Sequence, residues 1–410
     1  MEDRLLALRE SVRRAYERYP WYRERMKEAG ISPEDIRSFN DIQYLPFMTK
    51  DDLRSGYPWG ATASDLRKIV RVHCSSGTTG RPTVVSYTKG DIDRWAELVA
   101  WCLRLAGVNE DDIVQVAYGY GLFTGGLGLH YGAERLGCCV IPISGGNTER
   151  QVELMRDLGT TVLACTPSYA LYLAEVLAEK GISPDELNLR LGIFGAEPWS
   201  EEMRAQIEKG LGIMALDIYG LSEIWGPGVA MECPYKNGLH LNEEYFIVEV
   251  VDPETLKPLP FGKEGELVLT TLNREGTPMI RYRTRDITRL VNGECPCGVH
   301  GYRIDRIKGR SDDMLIIRGV NVFPKQIESV LGSFGELSLN YQLVVGERKY
   351  LKRLEVRCEL ANGFKGDINE LTSRVSKALK DRLGISVDLT ILPPGSLERT
   401  AGKAKRLVAS

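Results

Sequence analysis

Residues 162–219 read VLACTPSYALYLAEVLAEKGISPDELNLRLGIFGAEPWSEEMRAQIEKGLGIMALDIY, and this stretch decides the fold. Short β-rich runs at 162–165, 191–194 and 215–219 are separated by segments of helical periodicity at 168–179 and 201–210. Parallel strands need a long crossover, usually a helix, so this spacing predicts parallel pairing in a layered α/β sheet. The alternation extends back to about residue 69, with runs at 113–118 and 138–143 and helical segments at 91–106 and 149–158. Ligands of such sheets collect in loops at the carboxyl ends of the strands.

Beyond about residue 228 the pattern changes. Runs at 245–251 and 265–271 flank a turn at 252–260, which predicts an antiparallel, barrel-like β subdomain over about 228–305. After 309–313 the order is strand (314–318), helix (324–332), two strands (339–345, 353–359), helix (367–383) and strand (386–391). That order suits a small C-terminal α+β, ferredoxin-like domain. The expected division is a large α/β domain at 1–311 and a C-terminal domain at 312–410. Leu5, Leu8, Val12, Ala15, Tyr16 and Tyr19, closed by Pro20, predict an N-terminal amphipathic helix packed on the body.

At 410 residues the chain exceeds one ordinary core. Its 53 Lys+Arg against 56 Asp+Glu offer no basic surplus for nucleic acid. The N-terminus is charged throughout, unlike a signal peptide, and no apolar run approaches the roughly 18–20 residues that span a bilayer. A cytoplasmic protein is expected, engaging neither nucleic acid nor membrane. Its nine cysteines should then stay reduced, and clusters among them read first as metal ligands.

Two constellations carry chemistry. The segment Ser75-Ser76-Gly77-Thr78-Thr79-Gly80-Arg81-Pro82 combines exposed N–H groups with four hydroxyls, so it suits an anion-binding nest; as bare composition it reads equally as a turn. It is not a Walker A loop, since no G-x-x-x-x-G-K-[ST] is present. Cys233 and His240, with Cys295 and Cys297, supply four donors suited to a structural zinc ion, and His300 is a rival ligand. The alternative is unconnected reduced cysteines.

Taken in order, six segments resemble the adenylate-forming superfamily of acyl-CoA synthetases, luciferases and peptide-synthetase adenylation domains. They are the 75–82 loop, Phe194-Gly195-Ala196-Glu197-Pro198, Asp217-Ile218-Tyr219-Gly220-Leu221-Ser222-Glu223, Tyr282-Arg283-Thr284-Arg285-Asp286, Lys308-Gly309-Arg310-Ser311-Asp312-Asp313 and Gly402-Lys403. Ser222 stands where the family often has Thr, and Arg81 where many members have Lys. Within the superfamily, AYGYGLFTGGLGLHYGAERLG (117–137) and IKGRSDDMLIIRGVNVFPKQIE (307–328) resemble phenylacetate–CoA ligases and their relatives.

The resemblance implies an AMP-forming aryl-acid–CoA ligase with ATP, Mg²⁺ and coenzyme A as its requirements, a role in aromatic acid catabolism, and a homodimer. It assigns the nucleotide to Ser75, Ser76, Gly77, Thr78, Thr79 and Gly80 (phosphates), to Gly195 through Pro198 (adenine), to Asp217 through Ser222, and to Asp286 (ribose), with Arg310 at phosphate or ribose. Glu223 would hold Mg²⁺, which prefers oxygen donors shared with phosphates. Lys403 would bridge the α-phosphate and the carboxylate, and Asp312 would be the hinge of a mobile C-terminal domain. Tyr118, Tyr120, Phe123, Gly195 and Ile218 would line the acyl pocket. Alternatives are an enzyme that only adenylates, like those that transfer AMP to a deazaflavin, a ligase for indoleacetate or a benzoate, and a zinc-stabilised nucleotide-binding scaffold without catalysis.

Overall fold

The computed structural model describes residues 2–75, 82–291, 293–311, 315–317, 320–348, 351–399 and 406–409. A nine-stranded sheet forms its centre. Across it run Leu290–Val291, Arg303–Ile304, Leu239–Leu241, Gly226–Glu232, Met214–Leu221, Leu191–Gly195, Val162–Cys165, Ile113–Val116 and Cys139–Ile141. The strands from Met214–Leu221 onward pair parallel, as the helical spacing predicts. Those before it pair antiparallel.

Alternation along the parallel strands divides the interior into two cores. Val162, Ala164, Leu191 and Ile193 face one, together with the N-terminal helices and Lys89–Leu105. Leu163, Cys165 and Phe194 face the other, with Pro167–Glu179 and Glu201–Leu211. This is the period-two geometry of a strand buried on both faces. Hydroxyls at the strand ends start the helices: Thr166 Oγ1 accepts from Tyr169 N, with Pro167 in the first turn, and Ser200 Oγ accepts from Met203 N. The chain order places a topological switch between Ile113–Val116 and Val162–Cys165.

The antiparallel region differs from a barrel. Phe246–Val251, Gly265–Thr271, Tyr282–Thr288 and Gly309–Arg310 make an open four-stranded sheet. The remaining antiparallel strands extend the central sheet instead, because the chain folds back from Met214–Leu221 through Gly226 and occupies the open edge.

Near the C-terminus, Asp388–Leu392, Leu351–Leu360, Leu337–Arg348 and Leu407–Ala409 form a second four-stranded sheet, with helices Pro324–Gly332 and Ile368–Leu383. The expected α+β composition holds, but the ferredoxin-like order does not. Leu315–Ile317 pairs with Val320–Val322 in a hairpin and stays off this sheet, whose edge is taken by Leu407–Ala409. Apolar residues of this unit, including Ile327 and Leu331, join the core cluster of Pro167–Glu179 and Glu201–Leu211.

The N-terminal helix Glu2–Arg18 buries Leu8, Val12 and Ala15, and a second helix starts at Pro20. Further on, Met48 N donates to Arg281 O (3.2 Å) and Arg283 N to Met48 O (2.9 Å), which stitches this segment to Tyr282–Thr288. Helix Lys50–Ser55 follows, started by a capping box between Thr49 and Asp52. Among the described residues, no helix is long and apolar enough to cross a membrane.

Candidate active site

Loops at the carboxyl ends of the parallel strands gather most of the described candidate residues. Gly195 lies in register with Ile218 on the neighbouring strand, and a Cβ there would stand 2.1 Å from Ile218 O. Only glycine allows that approach. At Gly220 a Cβ would meet Gly226 O at 1.9 Å, so glycine lets the chain fold back at once. Ser222 and Glu223 are thereby held just beyond the strand end. Ala196 takes a positive φ of 74°, and Glu197 Oε1 accepts from Ser168 N at 2.8 Å.

Asp286 pairs across the strands with Arg310, whose Nη1 lies 3.6 Å from Oδ1. The Tyr219 hydroxyl donates to Asp286 Oδ2 at 2.5 Å. Burial, and then the Asp286 charge, push the Tyr219 phenol well above its ordinary value, so its proton stays in that hydrogen bond. A carboxylate braced in this way suits a ribose diol. Asp217 is held differently: Arg306 Nε lies 3.2 Å from Oδ2, while the Arg306 guanidinium packs 4.5 Å from the Trp199 ring centroid.

Glu223 is only 4% exposed. Its carbonyl accepts from Arg274 Nη1 (2.5 Å), and the Arg274 guanidinium lies 5.2 and 5.6 Å from the Tyr87 and Trp225 ring centroids. Lys50 Nζ stands 3.2 Å from Glu223 Oε1, an ion pair without hydrogen-bond geometry, so Oε1 has no hydrogen-bond partner among the described residues. Among the described residues, Ser75 Oγ, Thr83 Oγ1, Trp225 Nε1 and Arg274 Nε and Nη2 are also buried without one. Such groups are costly unless something satisfies them. A buried carboxylate oxygen left unbonded fits a hard cation such as Mg²⁺.

Ser75 pairs opposite Thr83, so both flanks of the glycine–hydroxyl segment are fixed in strands. Ser76, Gly77, Thr78, Thr79, Gly80 and Arg81 themselves, with Asp312 and Lys403, lie outside the described residues.

Tyr118 follows Ile113–Val116 at the topological switch. It is 4% exposed, and burial pushes its phenol well above the usual range against the hydrogen bond it shares with the Gly195 backbone. The Phe123 ring centroid is 6.5 Å away. Tyr118 is therefore brought beside Phe123 on one side and Gly195, in register with Ile218, on the other. Tyr120 is turned to the helix Gly125–Leu136, where its hydroxyl meets His130 Nδ1 (3.2 Å) and His130 Nε2 meets Glu134 (3.0 Å). This loop is tied to its neighbours: Leu122 O accepts from Cys74 N (3.0 Å) and contacts His73 Nδ1 (3.1 Å), and Thr124 Oγ1 contacts Ser222 Oγ (3.3 Å).

Away from these loops, donor atoms of Cys233, His240, Cys295 and Cys297 lie within 4.8 Å of one another. Cys233 Sγ is 3.5 Å from Cys295 Sγ, and Cys297 Sγ is 3.4 Å from His240 Nε2. A tetrahedral ion with bonds to sulfur of about 2.3 Å spaces its sulfurs about 3.8 Å apart, so the donor set fits zinc. Burial pushes the His240 imidazole down to about 4, leaving the neutral ring a metal requires. His300 is exposed and is not one of the converging donors. Among the other cysteines, Cys102, Cys138, Cys165 and Cys358 are buried, but Cys139 is exposed.

Two family models match the chain: AMP-binding enzyme over residues 36–273 and AMP-binding enzyme C-terminal domain over 319–410. A phenylacetate–coenzyme A ligase of Pseudomonas putida is 50% identical over 98% of this chain and 92% of its own. A solved structure of 2-hydroxyisobutyryl-CoA ligase in the postadenylation state, with an acyl-AMP bound, matches at 28% identity and TM-score 0.93, covering 99% of this chain and 88% of that one. The same ligase in its thioesterification state scores 0.74 at 29% identity, covering 100% of this chain and 89% of that one. The fold is thus that of an adenylate-forming enzyme. The chain belongs to the phenylacetate–coenzyme A ligase family of AMP-binding enzymes. It is an ATP-dependent, AMP-forming acid–CoA ligase that works through an acyl adenylate.

Sequence reasoning missed Lys50, Arg274 and Arg306. A T-x-x-D capping box at Thr49 marks the helix start beside Lys50, but nothing in local spacing ties it to Glu223.

Proposed function

We propose that this enzyme activates an aryl-acetic acid, phenylacetate first among them, and transfers the acyl group to coenzyme A in the cytoplasm. The observation that carries this reading is the 50% identity to phenylacetate–CoA ligase over 98% of the chain. The aromatic enclosure of Tyr118 and Phe123 beside Gly195 and Ile218 supports it, because flat rings pack at little entropic cost.

In the first half-reaction a carboxylate oxygen attacks the α-phosphorus of ATP, and the bond to pyrophosphate breaks. The attack brings anions together, so fixed donors and cations must offset the repulsion. The 75–80 loop is assigned to the β- and γ-phosphates, Gly195 through Pro198 to adenine, Asp286 with Tyr219 and Arg310 to the ribose, and Lys403 to the α-phosphate and carboxylate. Glu223 would hold Mg²⁺, which would supply charge neutralisation at the phosphates. In the second half-reaction the coenzyme A sulfur attacks the acyl carbon and AMP leaves. A boundary at 311/312, with Asp312 as hinge, would let a 312–410 unit serve each half-reaction in turn. Cys233, His240, Cys295 and Cys297 would hold zinc as a structural ion, since four protein ligands leave no open position.

The test is pyrophosphate release over a panel of aryl acids, with and without coenzyme A. Phenylacetate should give the highest kcat/KM, with AMP release dependent on coenzyme A. Adenylation of a deazaflavin hydroxyl with no acid-dependent signal would overturn the reading.

A further inference from the structure

The ammonium of Lys50 beside Glu223 has no place in the roles assigned above. Its position is built rather than incidental. Met48 is bonded to the backbone of Arg281 and Arg283, at the head of the strand that carries Asp286. Thr49 caps the helix through Asp52 (2.8 Å), and Arg25 Nη1 donates both to Asp52 Oδ2 (2.9 Å) and to Phe47 O (3.2 Å). Residues 47–52 are therefore clamped from two directions, and Lys50 projects from the clamp to Glu223.

The two partners differ in freedom. The Glu223 side chain is 6% exposed, with its backbone carbonyl fixed by Arg274, whereas the Lys50 side chain is 36% exposed on a flexible stem. One can change partners while the other stays. Burying Glu223 beside a polyphosphate would leave anion against anion unless cations stand there throughout. Lys403 falls in the 319–410 stretch matched by the C-terminal family model, far in sequence from the segment that carries Lys50. Lys50 is stitched instead to the strand that carries Asp286.

We propose that Lys50 is a substrate-contacting residue that serves as resident counter-ion: its ammonium neutralises Glu223 while that carboxylate holds no metal, and turns to the nucleotide's phosphate oxygens once it does. The proposal rests on the reading of Glu223 as metal ligand. It gives the site a cation that is present before ATP arrives and after pyrophosphate leaves.

Mn²⁺ binding, followed by its paramagnetic resonance signal, tests it on the full chain. Without nucleotide, Lys50→Met should bind Mn²⁺ about tenfold more tightly than wild type, because Glu223 has lost its competing cation. The same variant should bind inorganic pyrophosphate about tenfold more weakly by calorimetry, with Lys50→Arg close to wild type in both. A folded Lys50→Met protein with wild-type affinity for either probe overturns the proposal. If Lys50→Met does not fold, Lys50→Gln takes its place with the same expectations. Glu223→Gln separates the two claims: undiminished Mn²⁺ binding in the presence of ATP defeats the metal-ligand reading. Loss of that binding, with Lys50→Met unchanged, defeats only the role of Lys50.

Discussion

Two places in this enzyme fit a metal ion, and they are built on opposite plans. At Glu223 a single buried carboxylate lies just beyond the end of the strand Met214–Leu221, with a half-exposed lysine 3.2 Å away. At the other place two cysteines, a histidine and a third cysteine face one another, and three of the four are buried. That cluster joins distant parts of the chain: Cys233 follows the strand Gly226–Glu232, His240 lies within Leu239–Leu241, and Cys295 and Cys297 fall between the paired strands Leu290–Val291 and Arg303–Ile304. Oxygen donors in small number suit an ion that must share itself with phosphates; soft donors that close on themselves suit one that only holds. Donor count and donor softness together separate a working site from a staple.

The contrast breaks most sharply at Glu223. Glu223→Gln should lower kcat for acid-dependent pyrophosphate release by about 10²–10³-fold, with zinc content unchanged. A smaller effect of a different kind is expected at the staple. Cys295→Ser should purify with little zinc by metal analysis and melt about 5 °C lower, while its kcat in the cold stays near wild type. A variant of this kind that is stable but inactive would exchange the two roles. The gentlest probe is Tyr219→Phe, which removes the hydroxyl's hydrogen bond to Asp286 and its hydrogen bond with Thr284 while keeping the ring. It should raise KM for ATP about five- to tenfold with kcat little changed, measured by steady-state kinetics.

The same contrast explains what could be read from the chain alone. The parallel strands were legible because 162–165 and 191–194 are wholly apolar and separated by helices of fixed period. The outer part of the antiparallel extension was not, because Leu239–Leu241, Leu290–Val291 and Arg303–Ile304 are two or three residues long, and Arg303–Ile304 pairs with Leu239–Leu241 far off in sequence. No local pattern distinguishes them from turns. The zinc-type cluster was readable from donor chemistry before any geometry, whereas the ion pair of Lys50 with Glu223 depends wholly on how the N-terminal segment is stitched to Tyr282–Thr288. Among the aromatics, Tyr118 and Tyr120 could not be separated by composition: one meets Gly195 and the other His130. In the C-terminal unit the helices were evident, but the partner of Leu315–Ile317 was set by the nearest strand available, Val320–Val322.

The carbonyl of Leu122 has a consequence for anyone who would redesign this enzyme. It receives Cys74 N on the strand leading into the glycine–hydroxyl segment, while its own loop carries Tyr118 and Phe123. On the assignments proposed above, the acyl side and the nucleotide side would thus be mechanically joined through this peptide group. A loop transplanted from a ligase for another acid must reproduce that acceptor, or it will loosen the ATP side while reshaping the acyl side. Evolution of new substrates in this scaffold would be expected to proceed by exchanging side chains on the loop, with its backbone path kept.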